Sequence, residues 1–194
     1  NHQIYQLCRA MKHNQSLIEL NVCYTGIWFN HPFSQSVTAN HTLSNLILDG
    51  IKLGQQGMDQ LDNLLKHNST ITNLSFADNL INDPALIAKI LSTNSTIKTL
   101  NVNKNNLYDP HKMISDALQN NTTLTSLSIN QNNLGENVIL GILEAAMINM
   151  TIQELSSNEC ILNGNRIATI LKENTTLHHL DLFDNDIDHA LPLY

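Results

Sequence analysis

The sequence offers few residues whose types and spacing could carry chemistry. The pair His178-His179 is not part of a His-Glu-x-x-His metal motif, and neither a Gly-rich phosphate loop nor a Gly-x-Ser-x-Gly nucleophile elbow is present. The run Asp184-Asn185-Asp186-Ile187-Asp188 resembles the start of a calcium loop but lacks the later Gly and Glu that the loop needs. We therefore expect no catalytic residue, no metal and no cofactor, and we predict that the chain is not an enzyme.

The charge balance and the cysteines narrow the possible partners. Lys and Arg number 10 against 17 Asp and Glu, and the formal charge of −7 argues against binding to phosphate backbones. We therefore expect no nucleic acid as a partner. No apolar run reaches the roughly 20 residues needed to cross a bilayer, so we expect no membrane as a partner either. Cys8, Cys23 and Cys160 are odd in number and lack metal-ligand spacing, which predicts free thiols in a reducing, cytoplasmic-type environment.

An internal repeat determines the predicted fold. The pattern leucine, two residues, leucine, one residue, leucine, two residues, asparagine, one residue, leucine recurs seven times, starting at residues 17, 43, 71, 97, 124, 152 and 177. Its alternating apolar positions predict a short strand with one buried face, and the segments that follow have helical spacing. Because one unit cannot bury its own apolar face, neighbouring units must stack. We predict an α/β solenoid with a parallel inner sheet of about seven strands and helices on the convex side. It should form a single domain over residues 1–194 that is a fragment of a longer chain.

Residues 121–135, with the sequence NTTLTSLSINQNNLG, resemble leucine-rich repeats of the ribonuclease-inhibitor-like class. The resemblance extends over nearly the whole chain and implies a horseshoe-shaped solenoid that acts as a protein-protein interaction module. Asparagine occurs 28 times, and this richness together with the irregular units resembles effector proteins of intracellular bacteria such as Legionella. That resemblance implies a virulence protein that is secreted by a bacterium into the host cytosol.

A GTPase-activating or other enzyme-regulating role is the alternative function, because such proteins built on this fold supply an exposed arginine or asparagine. Arg9 and Arg166 are the only arginines of the chain. Both fall on predicted helices, away from the inner strands. The sequence therefore favours the interaction module.

Asparagines recur at fixed positions of the repeat. Four of them follow a predicted strand: Asn79, Asn105, Asn132 and Asn185. We expect their amides to bond the turn backbone, which must be satisfied when it is buried. Ile51 occupies the same position and can make no such bond. Together with Pro32, it predicts a short or broken outer segment between residues 28 and 55. Eight of the nine Asn-x-Ser/Thr sequons lie just before a strand, where the repeat explains them without glycans.

The side chains between the buried leucines should form the concave face of the solenoid. Seven acidic residues and one lysine occupy these positions, which predicts a negative surface that binds a protein with a basic patch. The predicted partner-binding residues are Phe183, Asp181, Asp184, Glu154, Glu159, Tyr24, Ile47 and Asp49. Phe183, Tyr24 and Ile47 would be apolar anchors. The alternative is that Phe183 and Tyr24 pack under terminal caps and that the acidic residues only keep the surface soluble.

Overall fold

The computed structural model describes residues 2–158 and 161–188. Helices and strands alternate along most of this range. The helices are α1 His2–His13, α2 His31–Thr38, α3 Gly54–His67, α4 Ala85–Thr93, α5 Met113–Gln119, α6 Glu136–Asn149 and α7 Gly164–Glu173. The strands are β1 Glu19–Asn21, β2 Asn45–Ile47, β3 Asn73–Ser75, β4 Thr99–Asn101, β5 Ser126–Ser128, β6 Glu154–Ser156, β7 Ile161–Asn163, β8 His179–Asp181 and β9 Asp186–Asp188.

Seven of the strands form one parallel sheet in the order β1-β2-β3-β4-β5-β6-β8, which confirms the predicted inner sheet. The strands pair without any offset, so the middle leucines of all seven lie in one row. Leu46, Leu74, Leu100, Leu127 and Leu155 are buried in this row, whereas the terminal strands leave theirs partly exposed. The register therefore follows from the apolar pattern of each repeat.

The core fills the space between this sheet and the row of helices. Each of the helices from α2 to α6 contributes at least one fully buried side chain, namely Phe33, Leu61, Ile87, Leu118 and Leu140. Burying a side chain of this size contributes about 2 kcal/mol. Consecutive helices pack against each other, and the buried residues form one continuous cluster. The stacking that the repeat predicts is therefore present along the described chain.

The asparagines that follow β3, β4, β5 and β8 each bond both their own turn and the preceding repeat. The Asn105 Nδ2 donates to the Val102 carbonyl at 3.0 Å and to the Phe76 carbonyl of the previous repeat at 3.2 Å. Asn79 likewise reaches back to the Leu48 carbonyl at 2.9 Å. This contact satisfies the carbonyl that Ile51 cannot bond from its own repeat. In the first repeat, the Thr25 hydroxyl donates to the Val22 carbonyl at 2.7 Å in place of an amide.

A second row of asparagines closes the other end of each repeat. The Oδ1 of Asn121 accepts from the backbone N–H groups of Thr123 and Leu124, and its Nδ2 donates to the Leu91 carbonyl at 2.7 Å. Asn40 and Asn68 make equivalent bonds and are buried. In each of these sequons, the nitrogen that a glycan would need is bonded inside the protein. The structure thus agrees with the interpretation that the repeat requires these residues.

The segment around Pro32 is short, as predicted, but it is not broken. Helix α2 has 8 residues, and Pro32 lies in its first turn, where the missing N–H costs nothing. The side chain of Asn30 caps this helix by accepting from the Phe33 N–H at 3.2 Å. Helix α5, with 7 residues, is shorter still.

A second parallel sheet, formed by β7 and β9, was not predicted from the sequence. Strand β9 contains residues 186–188 of the run that resembles a calcium loop. Asn185 of that run donates to the carbonyls of Ser157 at 2.7 Å and Leu182 at 2.8 Å. Within this run, Asn185 therefore has the role that the repeat predicts, and residues 186–188 form an additional strand.

Candidate protein-binding surface

The concave face is the surface formed by the outward side chains of β1 to β6 and β8 and of the turns that follow them. Two rows of side chains cross it, because the strands pair in parallel and in register. The first row is Glu19, Asn45, Asn73, Thr99, Ser126, Glu154 and His179, and the second is Asn21, Ile47, Ser75, Asn101, Ser128, Ser156 and Asp181. Equivalent side chains of neighbouring repeats therefore lie close enough to bond one another.

The polar side chains in the centre of the concave face bond one another. The Ser75 hydroxyl donates to the Asp49 carboxylate at 2.5 Å, and Asn101 donates to Ser75 at 3.0 Å. Further along, Asn130 donates to the Ser156 hydroxyl at 2.5 Å. A partner that binds here must compete with bonds already made. The ends of the face, where apolar side chains are exposed, are the better places for an anchor.

In six of the repeats, the third residue after the strand of the large sheet has a left-handed backbone. Tyr24, Gly50, Asp78, Lys104, Gln131 and Asp184 hold this position with φ between 53° and 64°. The equivalent residue of the sixth repeat, Glu159, is a predicted site residue that lies outside the described residues. The left-handed turn directs the chain from the strand towards the outer segment, and it places these side chains along one edge of the concave face.

Tyr24 reaches along this edge over two repeats. Its ring lies against Gly50, where a Cβ would be 2.1 Å from Tyr24 Cε1. Its hydroxyl donates to the Asp78 carboxylate at 3.0 Å, and this hydrogen bond raises the pKa of the phenol. Tyr24 is still 66% exposed. One face of the ring therefore packs on the following repeats, while much of the ring stays accessible.

Ile47 and Asp49 lie near the N-terminal end of the concave face. Ile47 is half-buried and lines a shallow depression of about 190 Å³ with Glu19 and Asn73. Asp49 accepts from the Ala77 N–H at 2.8 Å as well as from Ser75. Asp49 is thus committed to the turn of the next repeat, whereas Ile47 presents part of its side chain to a partner.

The C-terminal end of the face carries four predicted site residues. Phe183 is 73% exposed, and Glu154 and Asp184 are also exposed. Asp181 accepts from the Phe183 N–H at 3.0 Å, so the carboxylate fixes the backbone that carries the aromatic ring. His179 lies beside Glu154 on the neighbouring strand. The exposed ring of Phe183 thus lies between Asp181 and Asp184 in the chain, whereas Glu154 lies at the start of the neighbouring strand.

Trp28 is an exposed aromatic residue that the sequence reasoning missed. It is 76% exposed and lines a cleft of about 620 Å³ together with Tyr24, Gly50 and Lys52. This cleft adjoins the edge on which Tyr24 lies. The only tryptophan of the chain falls in an irregular segment after β1, and that was the available indication of an exposed anchor.

Cys23, beside Tyr24, is a half-buried free thiol, and Cys8 is a buried one. Burial raises the pKa of the Cys23 thiol, with the Asp49 charge acting in the same direction.

Among the described residues, no group of three or more His, Cys, Asp or Glu side chains is placed to hold a metal ion. No helix in the same residues is long and apolar enough to span a membrane.

Both arginines lie on outer helices, as predicted. Arg9 belongs to α1, and Arg166 belongs to α7, where its guanidinium contacts the Glu144 carboxylate of α6 at 2.9 Å. Neither is on the concave face. The enzyme-regulating alternative would need an arginine beside the acidic residues of the concave face, and neither arginine lies there.

Solved structures share this architecture. Leiomodin-1 actin-binding site 2 aligns with a TM-score of 0.53 and 18% identity, covering 87% of both chains. Internalin C2 of Listeria monocytogenes aligns with a TM-score of 0.50 and 19% identity, covering 90% of this chain and 75% of the internalin. The chain has the leucine-rich-repeat fold. The tropomodulin C-terminal domain of Caenorhabditis elegans aligns with a TM-score of 0.49 and 13% identity. This alignment covers 88% of the leucine-rich-repeat chain described here and 92% of the tropomodulin chain. No protein-family model and no curated protein matches the sequence.

Proposed function

We propose that this leucine-rich-repeat chain is a non-enzymatic module that holds a partner protein on its concave face. The observation that carries the proposal is the exposed Phe183 ring, which lies between the acidic residues Asp181 and Asp184 in the chain and on the same face as Glu154. A large apolar side chain next to charged neighbours has the composition of an interface anchor and its rim. The ring supplies most of the resistance to dissociation.

The partner presents a basic patch. Acidic residues occur at both ends of the concave face, with Glu19, Asp49 and Asp78 towards the N-terminus and the cluster around Phe183 towards the C-terminus. Opposite charges steer two proteins together and set their orientation, while they add less to the final affinity. Trp28 and Tyr24 extend the contact at the N-terminal end.

We further propose that the chain belongs to the ribonuclease-inhibitor-like class and serves as a secreted bacterial effector. Repeats of 25–28 residues with outer helices of up to 14 residues support the class. The asparagine-rich repeats support the effector role, and the free thiols of Cys8 and Cys23 fit a reducing host cytosol. The acidic concave face would then bind a host protein.

Affinity capture from a eukaryotic lysate tests the proposed surface. The wild-type chain should retain a protein that the Phe183→Ala variant loses. Ile148→Ala is the matched control, because Ile148 is 64% exposed on the outer helix α6. Equal capture by all three proteins would place the interface elsewhere and overturn the proposed site.

A further inference from the structure

A groove on the convex side lies between the first three helices. It has a volume of about 740 Å³, within the range of about 300–1,000 Å³ that is usual for ligand sites. Its basic side chains come from α1, α2 and α3, and they are Arg9, Lys12, His13, His31 and His67. All five are exposed, and no Asp or Glu lines the groove within the described residues.

The acidic residues nearest to this groove in the sequence lie on other surfaces of the protein. Glu19 is the only Asp or Glu before Asp49, and it lies on β1 at the opposite face. Helix α3 carries Asp59 and Asp62, but both line a separate depression between α3 and α4. Among the described residues, Arg9 and Lys12 take part in no salt bridge. The groove is therefore basic in a chain whose formal charge is −7.

Two of the histidines are held in place by helix α3. The His67 Nδ1–H donates to the Asn63 carbonyl at 2.8 Å, and the His31 ring nitrogen Nδ1 lies 3.3 Å from the Gln60 side-chain oxygen. Each ring therefore keeps its second nitrogen, Nε2, for another partner. Fixed imidazoles beside an arginine and a lysine make up a set of groups that recognises carboxylates.

We propose that this groove binds an acidic peptide segment of a protein partner, at a site separate from the concave face. Arg9 and Lys12 line a recess of limited volume, which a short chain segment fills. The side chains of Gln35 and Asn63 at the groove add amide groups for the peptide backbone. Arg9 and Lys12 contact the carboxylates.

Fluorescence anisotropy with a labelled octaglutamate peptide tests the proposal, with octaglutamine as the neutral comparison. The wild-type chain should bind octaglutamate, and its affinity should fall as salt rises. The variant Arg9→Gln/Lys12→Gln should bind about tenfold more weakly. The control variant Lys98→Gln/Lys172→Gln also loses two positive charges, but at exposed positions outside the groove. It should bind like the wild type.

Two further probes distinguish other occupants. If oligothymidine or phosphatidylserine vesicles bind more tightly than octaglutamate and lose binding in Arg9→Gln/Lys12→Gln, the acidic peptide is the wrong ligand. Sedimentation tests for a second copy of the chain, whose acidic face could fill the groove. Self-association that the same variant abolishes would overturn the proposal in favour of that copy. Equal weakening by both double variants, or no binding to octaglutamate, would also overturn it.

Discussion

The hydroxyl of Tyr24 donates to the carboxylate of Asp78 at 3.0 Å, and the aromatic ring of Tyr24 lies against Gly50. The three residues hold the same position in three successive repeats. Because Gly50 has no side chain, it leaves room for the ring, and its φ of 64° suits glycine. The contact therefore depends on all three repeats at once.

Gly50→Ala should destabilise the protein by about 1–2 kcal/mol, since it adds both a left-handed alanine and a collision with the Tyr24 ring. Urea denaturation measures the loss. Gly26→Ala is the matched control, because Gly26 has a φ of 68° but open space around it. The control should lose only the backbone part. Equal losses in the two variants would show that the ring contact contributes nothing.

Asp78→Asn should lower the pKa of Tyr24 towards its ordinary value, because the hydrogen bond to the carboxylate is the largest cause of the raised pKa. A phenol whose pKa is raised on folding stabilises the fold below the unfolded pKa of about 10, and this contribution is lost as the pH rises through the folded pKa. NMR titration of the tyrosine ring carbons follows the change. Asp116→Asn on α5 serves as control and should leave Tyr24 unaffected.

Asn105→Ala should cost about 2–4 kcal/mol, because it leaves the buried carbonyls of Val102 and Phe76 and the N–H groups of Asn79 and Ile81 without this partner. The free energy of unfolding in urea measures it. Asn73→Ala removes an exposed amide on the concave face and should cost well under 1 kcal/mol. Similar losses at both positions would refute the structural role assigned to the asparagine row.

Asp62→Asn should remove a contact between α3 and α4. Burial alone would raise the pKa of the Asp62 carboxyl, but hydrogen bonds from Lys66 and Lys89, both at 2.8 Å, lower it overall. The stabilisation is therefore present above the unfolded pKa of about 3.9 and is lost as the pH falls through the folded pKa. At neutral pH we expect a loss of about 0.5–1 kcal/mol, because the lysines are half-exposed.

Denaturation curves at neutral and strongly acidic pH check the Asp62 prediction. The difference between wild type and Asp62→Asn should disappear in acid. Asp59→Asn, whose carboxylate accepts from Gln55, provides the comparison without a lysine partner. A difference that persists unchanged in acid would contradict the ionic contribution.

Phe183→Ala should speed dissociation of the partner and cost on the order of 2 kcal/mol in binding, because the exposed ring is the proposed anchor. Asp184→Lys should instead slow association, with an effect that shrinks as salt rises. The substitution suits the backbone, since Lys104 adopts the same conformation at the equivalent position. Surface plasmon resonance at low and high salt separates the two rates. If both rates stay unchanged, the proposed interface is wrong.

The repeat allowed the parallel sheet and the asparagine rows to be predicted, because each of these depends on positions within one unit. The sheet of β7 and β9 was missed, since two three-residue segments carry too little pattern to indicate pairing. Trp28 was missed because the repeat pattern ends at Ile27 and no periodicity extends into the segment that follows. The contact of Tyr24 with Asp78 joins residues 54 positions apart, and the repeat pattern assigns both to one face without showing how far the ring reaches.

The Tyr24 contact also changes how the solenoid should unfold. In a linear array, each unit is stabilised by its immediate neighbours, so a terminal unit can fray alone. The contact joins the first repeat to the third, and Ile51 has removed the amide bond that would otherwise join the first to the second at this edge. Fraying of the first repeat must therefore break a second-neighbour contact as well. The three N-terminal repeats should exchange their backbone hydrogens as a single cooperative block.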